Sequence, residues 1–160
     1  MKRHFASKHD SREYIEKVQQ SCGLVLDVPR SAQVEIVEPD DGVRFLVVDG
    51  RFTFVESEGA VLPFIGSRAL TVLLPSVYID DGAVKYILKG ADVMRPGISK
   101  FDDWGGKEKL VVIRDAGKER GLAVGRSLVA SSEMAALSKG NCVKNLHHAG
   151  DRIWESYKKT

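Results

Sequence analysis

The dipeptide Asp49-Gly50 constrains the fold of this chain more than any other feature of its sequence. It separates two short runs, residues 43–48 and 51–56, that are rich in β-branched and aromatic side chains. An Asp-Gly pair between such runs is typical of a two-residue type I′ turn, because both central residues of that turn need a positive φ. The sequence therefore predicts an antiparallel β-hairpin over residues 43–56.

The chain before the hairpin changes from a helical period to a strand period. Residues 10–22 carry their apolar side chains on one helical stripe, begin with a capping-like Asp10, and are followed by Gly23. Residues 33–38 alternate between apolar and polar side chains and lead into a Pro-Asp-Asp-Gly turn at 39–42. The first half is therefore predicted to be a helix plus an antiparallel sheet.

Two stretches after the hairpin carry less regular patterns. Residues 61–65 are apolar but interrupted by a proline, which suits an edge strand or a packed loop. Residues 70–74 form a short β-like run that also ends at a proline. A boundary at this point predicts two domains, residues 1–74 and 75–160.

The second domain is predicted to be a small barrel of short strands. Asp80 to Gly82 can start a helix that Gly90 closes, and Pro96-Gly97 is typical of a type II turn with a positive φ at the glycine. Strands are predicted at 92–94, 110–114, 122–124, 127–130, 142–146 and 152–156, and a second short helix at 131–137. Many short strands in ~80 residues are typical of a barrel-like β fold.

Composition indicates a soluble protein. The 160 residues are 43% hydrophobic and 29% charged, and no apolar run reaches the length of a membrane-spanning helix or follows the pattern of an export signal. Cys22 and Cys142 lie far apart in sequence without a metal-ligand spacing, so we expect two buried free thiols and a reducing cytoplasm.

Charge separates the two halves of the chain. Residues 1–75 carry 9 Lys plus Arg against 11 Asp plus Glu, whereas residues 76–160 carry 15 against 11. A basic excess of this kind can displace counterions from nucleic-acid phosphates, but a solvated basic face that has no partner is the commoner explanation of a modest excess. Charge alone leaves both readings open.

The candidate catalytic residues do not form a recognisable signature. None of His4, His9, His147 and His148 sits in a local signature for nucleophilic catalysis, and the pair His147-His148 lacks a spacing that specifies a ligand. The carboxylate pairs at 40–41, 80–81 and 102–103 lie beside glycines, where Asp is typical of turns and caps. Residues 121–125 lack the Gly-Lys-Ser/Thr ending of a phosphate loop and are predicted to be a strand. We therefore expect no enzyme activity, no metal and no cofactor.

What remains is a candidate surface in the second half. Lys85, Lys89 and Arg95 surround Gly90-Ala91, where small residues would let another backbone approach closely. Charged and aromatic residues also collect near the C-terminal end, namely Lys144, Arg152, Trp154, Tyr157, Lys158 and Lys159. These rings could stack on RNA bases, or Trp154 could pack inside while the lysines are solvated. The pattern does not separate these two alternatives.

Residues 86–98, Tyr-Ile-Leu-Lys-Gly-Ala-Asp-Val-Met-Arg-Pro-Gly-Ile, resemble the hallmark of the PUA domain, an RNA-binding pseudo-β-barrel found in pseudouridine synthases and archaeosine transglycosylases. Residues 122–126 are similar to a conserved strand of that family, and residues 133–140 to its second helix. The resemblance covers about residues 76–156.

The first half extends the resemblance. Residues 50–54, Pro63, 73–75 and 77–85 are similar to the two-domain malignant T-cell amplified sequence family and its archaeal relatives. That family joins a small α/β pre-PUA domain, built on an antiparallel sheet, to a PUA pseudo-β-barrel, so the resemblance implies an α+β fold. Eukaryotic members act with density-regulated protein on the small ribosomal subunit in initiation, reinitiation and recycling. The shorter N-terminal half here is more similar to the archaeal type.

The resemblance also implies where RNA would bind: the first PUA helix, the Gly90-Ala91 loop, the second strand and the last strand. The residues that match the family motif are Lys89, Gly90, Ala91, Arg95, Pro96 and Gly97. Charge and placement add Lys85, Lys144 and Arg152 to this predicted RNA-binding set.

Two functions follow from the resemblance. The first is a cytoplasmic, non-enzymatic protein of translation or RNA modification that binds structured RNA, either tRNA or ribosomal RNA. The alternative is an adaptor that docks an initiation-factor-like protein on the small ribosomal subunit, with residues 61–65 as its candidate contact. An RNA-modifying enzyme is disfavoured, because PUA-bearing enzymes of that kind carry a separate catalytic domain of a size that this sequence does not provide.

Overall fold

The predicted hairpin is present in the computed structural model of the chain, which describes residues 1–40 and 42–160. Strand β3 (Val43–Val48) pairs antiparallel with β4 (Phe52–Ser57). Asp49 and Gly50 both have positive φ, 55° and 66°, as a type I′ turn requires. Asp41, which belongs to the predicted 39–42 turn and to one carboxylate pair, lies outside the described residues.

The described chain divides into two compact units. Unit 1 contains residues 1–73 and 152–160, and unit 2 contains residues 74–151. Unit 1 holds β1 (Lys2–Phe5), α1 (Lys8–Cys22), β2 (Val34–Asp40), β3, β4, β5 (Ala60–Pro63), α2 (Arg68–Thr71) and α4 (Arg152–Lys158). Unit 2 holds β6 (Ser76–Ile79), α3 (Asp81–Ile87), β7 (Val93–Met94), β8 (Ile98–Phe101), β9 (Leu110–Asp115), β10 (Gly121–Ser127) and β11 (Asn141–His148). The predicted α+β class is confirmed.

Unit 1 is an antiparallel sheet in the order β1-β2-β3-β4-β5, with helices on both faces. Helix α1 covers the face formed by even-numbered residues of β3, since Arg44 Nη2 lies 3.4 Å from the Tyr14 hydroxyl. Helix α4 covers the other face, where the Phe45 and Tyr157 rings are 5.3 Å apart. β5 is an edge strand, one of the two alternatives predicted for residues 61–65.

Helix α1 begins earlier than predicted. Ser7, not Asp10, is the N-cap, and its Oγ accepts a hydrogen bond of 3.0 Å from the Asp10 amide. Gly23 ends the helix with a φ of 64°, as predicted. β1 was not predicted, because four mostly polar, exposed residues show no alternation.

Helix α4 corrects the prediction of a final strand at residues 152–156. Its apolar residues Ile153, Trp154 and Tyr157 fall at helical spacing, and the Trp154 and Tyr157 rings pack on Phe64 at 5.8 and 4.4 Å. A seven-residue helix has little stability of its own, so this tertiary packing decides its conformation. The last residues of the predicted second domain therefore belong to unit 1.

The β-like run predicted at residues 70–74 is also wrong. Residues 68–71 form α2, and Leu70 is fully buried. Burial accounts for the apolar residues of this segment, and so short a run carries no periodicity that separates a helical turn from a strand. The next strand, β6, starts only after Pro75.

Unit 2 forms the barrel-like sheet that was predicted. Its strand order is β7-β11-β10-β9-β6-β8, with β6 parallel to β9 and the other pairs antiparallel. The first and last strands of this order, β7 and β8, are joined by three residues, Arg95–Gly97, so the sheet must curl until its edges come close. Side chains of β9, β10 and β11 fill the interior.

Three local predictions in unit 2 need correction. Residues 95–97 form a 3₁₀ turn rather than a type II turn, and Gly97 has no positive φ. Residues 131–136 form a 3₁₀ helix, and the Ser131 hydroxyl accepts hydrogen bonds from the Trp104 and Gly105 amides instead of capping that helix. Strand β10 contains the strand predicted at 122–124, whereas of the strand predicted at 127–130 only Ser127 belongs to β10 and residues 128–130 form no strand.

Gly125 lies inside β10, where the sequence pattern predicted a gap between two strands. A β-bulge lies between Val124 and Gly125, and a Cβ at Gly125 would lie 2.5 Å from Val143 Cγ1 and 2.8 Å from Lys144 O. The neighbouring strand β11 therefore approaches closely because residue 125 has no side chain.

The helices are short and polar. α1, the longest in the described part of the chain, has 15 residues, and no described helix combines the length and apolarity that a bilayer span needs.

The anchor of α4 provides a test of the fold. Ser156 is 2% exposed and donates a 2.6 Å hydrogen bond to Asp40 Oδ2, while Lys159 Nζ lies 2.9 Å from Asp40 Oδ1. These partners lower the pKa of Asp40 below its usual value of 3.8. The carboxylate therefore stabilises the fold above that pH, and the contribution disappears as the pH falls through the lowered pKa.

We predict that Ser156→Ala lowers the free energy of unfolding by about 1 kcal/mol at pH 7. It should also raise the pKa of Asp40 towards 3.8, measured by NMR titration. Ser21→Ala, at an exposed position of α1, is the matched control and should change neither value. An unchanged Asp40 pKa in Ser156→Ala would contradict this anchor.

Candidate nucleic-acid interface

The predicted site is built around the end of α3. The Gly90 amide donates to Ile87 O and the Ala91 amide to Tyr86 O, both at 3.0 Å, and Gly90 has a φ of 98°. This tight turn leaves Lys85, Lys89, Gly90 and Ala91 exposed, together with a Tyr86 side chain that is 54% exposed. The helix end therefore presents cations, an open aromatic ring and bare backbone in one place.

Asn145 on β11 fixes this turn. Its Nδ2 donates to Ile87 O and to Ala91 O, each at 3.0 Å, and its backbone amide donates to Asp92 Oδ1 at 3.0 Å. The side-chain oxygen of Asn145 is buried and has no hydrogen-bond partner among the described residues. One amide thus connects α3, the Gly90-Ala91 turn and the strand next to it, a role that the sequence pattern did not indicate.

Lys144 brings a further cation beside this turn, and Arg126 faces it. The two residues are Cα partners on β11 and β10, and neighbouring cations on paired strands repel each other. Arg126 has one acidic neighbour, Glu108, at 3.9 Å. Of these two cross-strand cations, Arg126 is paired with an acid and Lys144 is not, among the residues that the structure describes.

We call Lys85, Tyr86, Lys89, Gly90, Ala91, Arg126 and Lys144 the α3–β11 surface. Within residues 1–40 and 42–160, Lys85, Lys89 and Lys144 form no ion pair. Lys85 Nζ lies 5.1 Å from the Tyr86 ring centroid, which leaves its charge open to a further partner. The surface holds cations that are not neutralised by the protein itself.

The net charges of the two units differ from those of the two sequence halves. With α4 assigned to unit 1, unit 1 carries 12 basic and 12 acidic residues, and unit 2 carries 12 and 10. Half of the basic excess of the second half therefore belongs to residues 152–160, which carry three basic residues and one acidic residue. The local arrangement of cations in unit 2, rather than its net charge, identifies the candidate interface.

Arg95 differs in placement from the other predicted residues. Its Nε donates to Met134 O at 3.0 Å, and its Nη1 lies 3.4 Å from Ile98 O. Arg95, Pro96 and Gly97 together form the 3₁₀ turn, and a Cβ at Gly97 would lie 3.5 Å from Ala83 Cβ on α3. The turn therefore packs beside α3, and the Arg95 guanidinium contacts backbone carbonyls.

Arg152 belongs to the other unit of the chain. It lies on α4 in unit 1, where its Nη1 is 3.9 Å from Glu58 Oε1. Trp154 and Tyr157 pack on Phe64, so of the two alternatives for these rings, the packed one is correct. Helical periodicity was the signal that could have shown this.

His147 and His148 both lie at the end of β11. His147 is fully buried, and its Nδ1 lies 2.8 Å from Asp151 Oδ2, which also accepts from the His148 amide at 2.9 Å. His148 lies beside the turn, because its Nε2 would be 3.5 Å from a Cβ at Gly90. His148 therefore borders the α3–β11 surface, whereas His147 is buried on the same strand.

The remaining polar groups of unit 2 serve the fold. Asp102 Oδ2 accepts from the Ser76 amide at 2.8 Å, and the Ser131 hydroxyl donates to Asp103, which lowers the pKa of Asp103. The Arg120 guanidinium similarly lowers the pKa of Asp115. Burial raises the pKa of the Cys142 thiol, which disfavours a reactive thiolate.

One described group has the spacing of metal ligands. His9, Asp10 and Glu13 on α1 place their ligand atoms within 4.8 Å of one another, and all three are exposed. His9 Nε2 already lies 3.1 Å from Glu13 Oε1, as an ordinary surface pair would. The group lies in unit 1 and takes no part in the α3–β11 surface.

Comparison with known proteins agrees with the division into units. A family profile described as the PUA domain matches residues 75–149. An uncharacterized protein of Methanocaldococcus jannaschii is 32% identical over 161 residues, covering 96% of this chain and 95% of that protein. Translation machinery-associated protein 20 of Saccharomyces cerevisiae is 30% identical over 79% of this chain and 74% of its own. Malignant T-cell-amplified sequence 1-B of Xenopus laevis is 29% identical over 79% and 73%.

Solved structures give the same result. A hypothetical protein from the archaeon Pyrococcus horikoshii has a TM-score of 0.74 and 29% identity over 96% of this chain and 98% of that one. A PUA-domain structure from Aeropyrum pernix has a TM-score of 0.83 at 23% identity, covering 98% and 91%, and so shares the fold. The chain therefore belongs to the family of PUA-domain proteins that includes Translation machinery-associated protein 20 and the malignant T-cell-amplified sequence proteins, and it is of the archaeal type.

Proposed function

We propose that this protein is a non-enzymatic, cytoplasmic RNA-binding protein of the translation machinery, which binds tRNA or ribosomal RNA through the α3–β11 surface. One observation carries the proposal: Lys85, Lys89 and Lys144 form no ion pair in the described chain, and they flank a turn whose backbone is exposed. Cations in such a position bind phosphates and release their counterions.

The chemistry of the surface suits structured RNA. Gly90 has no side chain, so a sugar-phosphate backbone can approach the turn closely, and the bound Asn145 amide keeps the turn in place. The exposed Tyr86 ring offers a base or a ribose a stacking partner. None of these contacts reads a base edge in a duplex, so recognition would depend on shape and phosphate position.

Family membership supports the cellular setting. One relative is named as a translation machinery-associated protein, and it is 30% identical to this chain over 79% of its length. The small ribosomal subunit, or an initiation-factor-like protein bound to it, is the partner that this setting favours. RNA binding through unit 2 would bring the protein to such an assembly.

The adaptor alternative loses the contact that was predicted for it. Leu62, Phe64 and Ile65 are only 8%, 2% and 5% exposed, so this segment is part of the core of unit 1. An enzymatic role is also disfavoured in the described chain, because the His147–Asp151 pair is the closest approach to a catalytic dyad and its imidazole is fully buried. RNA binding is the function that remains best supported.

We predict that Lys89→Gln and Lys144→Gln each weaken tRNA binding. Each substitution removes one phosphate contact, so the slope of log affinity against log salt should flatten by up to about one unit. Fluorescence anisotropy at several salt concentrations measures both quantities. Lys8→Gln on α1, which makes the same charge change in unit 1, is the control and should leave the slope unchanged. A slope near zero for the unmodified protein would overturn the proposal.

We predict that Asn145→Asp weakens RNA binding about tenfold, because a carboxylate cannot donate to the Ile87 and Ala91 carbonyls and is repelled by Asp92. Amide hydrogen exchange at Gly90 and Ala91 should become faster in the same variant. Asn141→Asp, at the exposed start of the same strand, is the matched control with the same change in charge. Equal affinities for the two variants would show that the turn does not need the Asn145 amide.

A further inference from the structure

A cavity of about 400 Å³ opens on the face of the unit 1 sheet that also holds α4. Its floor is formed by side chains of β2, β3 and β4, including Val37, Val47 and Thr53. Its walls come from Ser67 and Arg68 at the start of α2 and from Tyr157 at the end of α4. All of these residues belong to unit 1.

Three arginines are among the residues that line this cavity: Arg3, Arg51 and Arg68. Glu35 is the only acidic residue among the described residues that line it, and its carboxylate lies 3.6 Å from Arg3 Nε. Arg51 donates to Asp27 O at 2.8 Å and lies 3.4 Å from Asp49 Oδ2. The lining therefore carries more positive than negative charge.

Arg68 carries the uncompensated charge. Its side chain is exposed and has no hydrogen bond or ion pair with any described residue. Glu35 and Asp49 can offset the other two guanidiniums, but neither is paired with Arg68. A cation that lines a concave site without a counter-charge is positioned to receive an anion.

Hydroxyl groups add donors beside these cations. Ser67 is 7% exposed, and its Oγ accepts a 3.1 Å hydrogen bond from the Thr53 amide. The hydroxyl hydrogen of Ser67 has no acceptor among the described residues and can be donated to a ligand oxygen. Thr53, 9% exposed, offers a second hydroxyl at the floor.

We propose that this cavity is a second anion site, which binds a phosphate group through Arg68 and Arg3, with Ser67 and Thr53 as hydroxyl donors. The planar donor fork of a guanidinium matches phosphate oxygens well, and the cavity volume is within the range of small-molecule sites. The phosphate can belong to a free nucleotide or to an RNA strand. The site does not depend on the α3–β11 surface, which lies in unit 2.

The test is an NMR titration of the full-length protein with inorganic phosphate, with AMP, and with a short single-stranded RNA that lacks a terminal phosphate. Binding at the cavity should shift the amide signals of Thr53, Ser67 and Arg68. Arg68→Gln should weaken the affinity at least fivefold; Arg68 is exposed, so the variant should fold normally. Arg12→Gln, exposed on α1 and therefore on the other side of the sheet, is the matched control.

The two sources of phosphate are distinguished by which probe shifts these signals. Shifts with phosphate or AMP alone identify a free nucleotide or phosphate site, and shifts with the RNA identify a strand-binding site. A Lys89→Gln, Lys144→Gln double variant should retain AMP or phosphate binding at the cavity, so failure of the unit 2 proposal is separable from failure of this one. The absence of shifts with all three probes, or equal affinities for Arg68→Gln and Arg12→Gln, would overturn the proposal.

Discussion

The hydrogen bonds of the Asn145 amide are the interaction on which the candidate interface depends. Strand β11 pairs with β10 on one side and β7 on the other, and Asn145 extends this pairing to the end of α3 through Ile87 O and Ala91 O. Gly90 itself has no side chain that could hold the turn in place. Its position relative to Lys144 is therefore set by the neighbouring strand, and the barrel acts as a rigid support for a short, exposed loop.

The two units use their basic residues differently. In unit 2, Arg95 and Arg120 are bound to groups of the fold, whereas Lys85, Lys89 and Lys144 are left to solvent or a ligand. In unit 1, Arg44 and Lys17 share the Glu56 carboxylate, which lowers the pKa of Glu56, while Arg68 is left without a partner. Sequence counts treat all these cations alike, and only their partners distinguish structural charges from available ones.

Local signals in the sequence predicted the elements that have their own stop and turn residues. Asp49-Gly50 specified the hairpin, Gly23 the end of α1, and the motif around Gly90 the turn after α3. The elements that were missed or wrongly predicted have no such signal. The spacing of Ile153, Trp154 and Tyr157 fits a helix, but α4 has only seven residues, too few for this spacing to exclude a strand, and α2 has a single turn. Their conformations follow from contacts with residues far away in sequence, such as the packing of Tyr157 on Phe64.

The sequence by itself determined the two-part α+β organisation and the segment that contains the candidate interface, because turn residues and hydrophobic periods act over a few neighbouring positions. The tertiary structure decided which residues of that segment are available. It directed the Arg95 guanidinium to backbone carbonyls and placed Arg152 in unit 1. It also brought Asn145 and His148 next to the turn and paired Arg126 with Lys144. These outcomes depend on contacts between residues far apart in the sequence, such as Arg95 with Met134 and Asn145 with Ile87, which no local pattern encodes.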